Sequence, residues 1–139
     1  MASLPRVVQG LILFSTALGV FFLWQAYPLL PTDVFYILLL GWGLFAFDSA
    51  LTFVRPRLSY YLGFVLAAVA LIETLTQPEH YALVENGNMP ATATLVLGSV
   101  SQALIIGLVG YYLATGRKKD PWAWPGEKEV PASDVAPAE

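Results

Sequence analysis

The chain has no cysteine, a single histidine and few charges. Without cysteine there is no disulfide, no thiolate nucleophile, no iron–sulfur ligation and no zinc–thiolate site. One histidine, His80, excludes a bis-His haem within one copy. Charged residues fill 12% of the 139 positions, about half the ~25% of an ordinary soluble domain. There is no Gly-rich phosphate loop and no Ser/His/Asp set able to meet at one depth. Catalysis by this chain alone is therefore not expected, and no cofactor or metal is assigned. The seven Lys and Arg form no basic stripe, which excludes a nucleic-acid partner.

Apolar sequence is what the chain has in abundance. It is 57% hydrophobic, with a mean hydropathy of +0.63. Four apolar runs, at about 6–27, 33–54, 57–77 and 91–115, reach the ~20 residues needed to cross a bilayer. The first run is longer than the roughly 7–15-residue apolar region of a signal peptide, and it lacks an A-x-A-like site. It is read as a retained span. The expected fold is an all-α integral membrane protein. Residues 1–119 form an antiparallel up-down four-helix transmembrane bundle, and residues 120–139 form a tail.

The basic residues alternate along this plan. Arg6 precedes the first run, Arg55 and Arg57 separate the second from the third, and Arg117, Lys118 and Lys119 follow the fourth. The connections 28–32 and 78–90 have no Lys or Arg. Positive residues collect on the cytoplasmic side of short loops, so both termini are expected in the cytoplasm of a multi-pass protein of the cell membrane. Trp24 and Tyr27, which close span 1, and Trp122 and Trp124 in the tail suit the headgroup level. The net charge of −3 arises in the tail, where Glu127, Glu129, Asp134 and Glu139 face only Lys128. Residues 127–139 are too polar to bury their backbone and are expected to be disordered.

Local signals mark the breaks. Thr32 fits an N-cap for span 2, Pro56 suits the start of span 3, Asn88 with Pro90 can open span 4, and Gly116 can stop it. Thr76-Gln77-Pro78-Glu79 fits a capping box with Pro in the first turn, and Gly87 suits the C′ position. Residues 77–86 therefore read as a short interfacial helix with Tyr81, Leu83 and Val84 facing lipid or protein. A plain loop is the alternative.

Two acids lie inside spans. Asp48 is about 7 Å to the cytoplasmic side of the middle of span 2, and Glu73 about 8 Å to the outer side of span 3, at ~1.5 Å per residue. A separation of roughly 15 Å excludes a shared-proton carboxylate pair. An Asp at the centre of a span costs roughly 2.5–3.5 kcal/mol, so Asp48 must face the bundle, a cavity or a partner. It is either a proton or cation site, or a packing residue paired with Arg6 or a Ser/Thr hydroxyl or simply kept neutral. Gln9, Asp48, Gln102, Glu73 and Gln25 can be written as a polar ladder across the membrane. The same residues can equally serve as interhelical glue, at ~0.6–2 kcal/mol per bond. His80, with Glu79 and Glu85 nearby, reads best as a solvated loop histidine.

Ser15-x-x-x-Gly19, Gly63-x-x-x-Ala67 and Ala103-x-x-x-Gly107, extended by Gly110, are small-residue pairs that let helix backbones approach. Span 2 carries rings around most of its circumference: Phe35, Tyr36, Trp42, Phe45, Phe47 and Phe53. These could line a quinone pocket or fill space against lipid.

In length and four-span plan the chain resembles the small multidrug transporters. Those carry a Glu in their first span, and span 1 here has no acid, so nothing of their site carries over. Spans 1–2 and 3–4 share no Gly, Pro or acid positions, which argues against an inverted repeat. The leading expectation is an accessory or scaffold subunit of a larger respiratory or transport complex, with lipid and other subunits or self-association as partners. The alternatives are an oligomeric proton-coupled small-solute transporter or channel using Asp48 and Glu73, and a quinone- or lipid-binding protein.

Overall fold

The computed structural model describes residues 4–115, and all of its regular structure there is helical. The helices are α1 (Leu4–Ala26), α2 (Thr32–Val54), α3 (Pro56–Thr76), α4 (Pro78–Glu85) and α5 (Met89–Thr115). Four of them, all but α4, are long and apolar enough to cross a membrane. Each begins or ends within two residues of the boundary read from the sequence. The short helix reading of residues 77–86 holds as α4, and the plain loop does not. Gly116, Arg117, Lys118, Lys119, Trp122, Trp124 and the tail 120–139 lie outside the described residues.

Proline sets the breaks. A residue preceding proline is pushed out of the helical region by the ring. Arg55, before Pro56, has φ −137° and ψ 70°, and it alone separates α2 from α3. Its N–H still donates to Leu51 O at 2.7 Å, and its carbonyl accepts from Ser59 N at 3.1 Å. Gln77, before Pro78, is extended in the same way and separates α3 from α4. Gly87 follows α4 with φ +70°, a left-handed conformation glycine takes without strain, and its N–H donates to Val84 O at 3.0 Å. Asn88 Oδ1 accepts from Ala91 N at 3.2 Å and opens α5 as expected.

Two expected caps are not formed. Pro31, not Thr32, precedes the first residue of α2, and it supplies no side-chain bond. Thr76 closes α3 instead of capping α4. Its hydroxyl points back to Ile72 O (2.9 Å) and Glu73 O (3.3 Å). The proline one residue later has already extended Gln77, so Gln77 becomes the residue preceding α4.

The long helices pack in a square. α1 and α3 each lie against α2 and α5, and touch lightly across the centre; α4 rests on α5. Val8, Ile12, Tyr60, Ala67, Ile105 and Val109 form the main core between α1, α3 and α5. Phe22, Ala26 and Leu38 form a smaller core where α1 meets α2.

The outside is as apolar as the inside. Leu40, Phe47, Phe53, Val69, Ile72, Val100 and Tyr111 are largely exposed. A monomeric soluble protein rarely carries such a continuous apolar exterior, whereas a bilayer would cover it. Helices that are apolar all round are the expected pattern for membrane spans.

The small-residue pairs divide by face. At Gly19 an added Cβ would overlap the indole of Trp42, and at Gly63 it would lie 2.9 Å from Asp48 Oδ2 and 3.0 Å from Ile12 Cδ1. Ser15 and Ala67 are fully buried. Gly110 leaves room for a Cβ, at 3.8 Å from Phe64. Ala103 and Gly107 instead face outward, with nothing near Gly107. That pair does not serve packing within the bundle. The span 2 rings divide likewise: Phe45 is buried and stacks on Trp42 at 5.0 Å, while Tyr36, Phe47 and Phe53 point outward. Trp24 and Tyr27 are exposed at the end of α1.

Candidate functional site

The interior of the square has two polar regions. The first lies near the α2–α3 junction and is built of hydroxyls. Ser101 donates to Gly98 O at 2.8 Å, so the 2.8 Å bond between Ser15 and Ser101 carries the Ser15 proton and ties α1 to α5. Thr16 and Ser49 share a 2.7 Å bond that ties α1 to α2. Thr52 donates to Ser49 O at 2.7 Å and accepts from Gln9 Nε2 at 3.3 Å. Ser59 donates to the backbone carbonyl of Asp48 at 3.1 Å, tying α3 to α2. A double-mutant cycle of Ser15→Ala and Ser101→Ala is expected to give a coupling of ~0.6–2 kcal/mol in detergent unfolding.

Asp48 sits in the middle of this region with no exposed surface. Among the described residues, its carboxylate oxygens have no hydrogen-bond partner. Of the two pairings considered for this group, that with Arg6 is not formed, whereas the Ser59 hydroxyl lies beside it. Arg6 is exposed on the outer face of α1, and the nearby hydroxyls are engaged with one another or with backbone carbonyls. The carboxylate fits because α3 presents Gly63 at the point of contact.

The second region is a small recess, open at its mouth. Phe22 of α1, Trp42 of α2, Glu73 of α3, His80 of α4 and Gln102 of α5 all line it. An adjoining recess shares Phe22, Leu38, Glu73 and His80 with it and reaches Gln77 and Glu79. Gln102 is only 2% exposed, and its Oε1 has no partner among the described residues.

His80 corrects the sequence reading. It is half-buried, packs edge-on against Phe22 at 5.8 Å, and places Nδ1 3.2 Å from Thr74 O. The proline break at residue 77 starts α4, which rests on α5 and brings His80 to the cavity of Glu73. The Pro78 signal was in the sequence, but the direction α4 takes was not. Tyr81 and Val84 of α4 are exposed, and the side chain of Leu83 lies outside the described residues. Among the described residues, no three of His, Asp and Glu converge as a metal site would need.

Four members of the written ladder lie in or beside these two regions: Gln9, Asp48, Gln102 and Glu73. Gln25 does not join them. Its side chain turns to Phe21 O, 3.5 Å away in its own helix. Gly63, against Asp48, and Glu73 are ten residues apart on α3, or ~15 Å along the helix. The acids therefore belong to separate regions, as their spacing predicts. Gln102 adjoins both, since it lines the cavity and follows Ser101 in the hydroxyl layer.

No protein family, no curated protein and no solved structure matches this chain. What defines its class is its own architecture: a small multi-pass membrane protein with four apolar helices around a partly polar interior.

Proposed function

We propose that this chain is a proton-coupled transporter or channel for a small solute. The observation that carries this reading is how the polar groups divide. Hydroxyls and Gln9 make the side-chain bonds described above between the four long helices. The two groups most expensive to bury without a partner, the Asp48 carboxylate and the Gln102 carbonyl oxygen, take no part in them. Glue requires a partner, whereas a site that gains and loses a proton or a solute does not keep one permanently. Intramembrane acids facing a bundle interior commonly mark proton or ion paths. In this reading the spans alternate in direction and both termini are cytoplasmic, as the basic residues at 6, 55, 57 and 117–119 favour. Asp48 is then the titrating group on the cytoplasmic side, and Glu73 opens to the outside.

The test is proton movement in liposomes carrying a trapped pH dye and an imposed membrane potential, with panels of amines, amino acids, sugars and carboxylates added outside. The purified protein should move protons above the protein-free rate with at least one panel, and Asp48→Asn should abolish that movement. Proton movement at the protein-free rate with every panel would overturn the reading.

A second reading, an accessory subunit, is favoured by one observation. Ala103 and Gly107 present an open small-residue strip on the outer face of α5, where another helix could approach closely. Under this reading Gly107→Leu releases partner subunits on gentle extraction but leaves the fold of the chain intact.

A further inference from the structure

We infer that Ser59 is the positioning residue for the Asp48 proton. Its hydroxyl bonds the backbone carbonyl of Asp48 while the carboxyl is protonated, and turns onto the carboxylate when the proton leaves. The inference rests on the transport reading, because it assigns the group that serves the titrating acid of that reading.

α3 brings two residues to Asp48. Ser59 and Gly63 are four residues apart, and residues at that spacing lie one above the other on a helix face. A Cβ at Gly63 would stand 2.9 Å from Asp48 Oδ2, so the carboxylate lies against the α3 backbone there. One turn nearer the Arg55 break, the Ser59 hydroxyl lies beside the carboxylate and donates to the Asp48 carbonyl oxygen at 3.1 Å. Both side chains are fully buried.

The other hydroxyls of the region have their protons placed elsewhere. Thr52 donates to Ser49 O, Ser101 to Gly98 O and Ser15 to Ser101, and Thr16 shares a bond with Ser49. Titratable groups on the surrounding helices are few. α1 carries Arg6, which is exposed, and α5 carries Tyr111 and Tyr112 near its end. α3 carries the exposed Arg57 and Tyr61, and Glu73 ten residues past Gly63. It also carries Tyr60, next to Ser59, whose hydroxyl donates to Pro5 O at 3.3 Å. On α2 itself, Asp33 and Tyr36 lie twelve or more residues from Asp48, or at least ~18 Å along the helix.

The charge on the acid decides where the Ser59 proton goes. The observed bond, to the carbonyl, is the one a neutral acid leaves in place. Once Asp48 is ionised, a bond to the charged acceptor is roughly twice as strong as one between neutral groups. A buried carboxylate without a donor is also costly. Turning away from the carbonyl leaves nothing unpaired. Asp48 lies inside α2, whose own ladder supplies that carbonyl with a backbone N–H. The switch needs only rotation of the hydroxyl proton about the Cβ–Oγ bond.

The experiment titrates the purified full chain in detergent and follows the carboxyl C=O stretch by infrared difference spectroscopy. The Asp48 band is the one that Asp48→Asn removes. Ser59→Ala takes the donor away from the charged form, which favours protonation, so the titration midpoint is expected to rise by about one pH unit. Ser59→Cys, close in size but a weaker donor, should raise it less. Ser59→Thr, which keeps the hydroxyl, should stay near the wild-type value. A hydroxyl that only glues α3 to α2 would change the ease of unfolding and leave the midpoint where it was. The inference is overturned by an unmoved midpoint in Ser59→Ala and Ser59→Cys, by a shift in Ser59→Thr as large as that in Ser59→Ala, or by an Asp48 band that does not titrate. A midpoint governed by Ser59 without any Asp48-dependent proton flux sinks the transport reading alone. Flux with an unmoved midpoint sinks this inference alone.

Discussion

Asp48→Asn is expected to lose proton flux entirely while the protein unfolds no more readily than the wild type. The two halves of this result have separate causes. Flux is lost because an amide cannot exchange a proton at that position. Stability is kept because, among the described residues, neither carboxylate oxygen has a hydrogen-bond partner to lose. An unsatisfied buried polar group costs about 1–3 kcal/mol and a charged one more, so the neutral amide is equal to the acid or better by on the order of 1 kcal/mol. Asn is nearly isosteric with Asp, so the fit against Gly63 and Ile12 is preserved. The measurement pairs thermal unfolding in detergent with the liposome assay. A variant destabilised by 2 kcal/mol or more would instead mark Asp48 as a packing residue with a partner, and the functional reading would fall with it.

Gly19→Leu is expected to disrupt the contact between α1 and α2, with the largest stability loss of any single glycine replacement in the chain. Even the first atom of a side chain there would overlap the indole of Trp42. The buried ring of Phe45 lies 5.0 Å from the indole on its own helix, so relieving the overlap means pushing the indole into the recess it lines. Overpacking of a tight core typically costs about 1–3 kcal/mol, and a leucine at this contact should exceed that range. Gly63→Ala is a graded comparison. The atoms it approaches are Asp48 Oδ2 and Ile12 Cδ1, both at the ends of side chains that can give way, so a loss of about 1 kcal/mol is expected. Gly107→Leu, in open space, should stay within about ±0.5 kcal/mol. Unfolding of the three variants in a denaturing detergent titration gives the order directly. A loss for Gly107→Leu as large as that for Gly19→Leu would show that the helix faces are assigned wrongly.

The comparison of these glycines shows where sequence reading stops. Ser15-x-x-x-Gly19 and Ala103-x-x-x-Gly107 are the same motif, yet one is buried against α2 and α5 and the other faces outward. In a soluble protein the polar face of each helix would announce which side is out. Here α2 and α5 are apolar all round, so periodicity carries almost no information about orientation. The same limit applies to Gln25 and Gln102. Both are isolated amides in apolar helices, and only packing shows that one turns to its own backbone while the other lines a cavity.

By itself the sequence determined the number, length and breaks of the spans. These depend on local chemistry: long apolar runs, and prolines at 31, 56 and 78 that bend the residue before them or block the helix. It also determined that Asp48 and Glu73 cannot share one site, because helical rise converts their positions into distance. The tertiary structure decided which faces meet, that the Asp48 carboxylate finds no hydrogen-bond partner among the described residues, and that His80 lines the same cavity as Glu73. Those outcomes depend on which side chains fit together among helices whose surfaces are alike in polarity, and shape complementarity between distant segments is not written in any one of them.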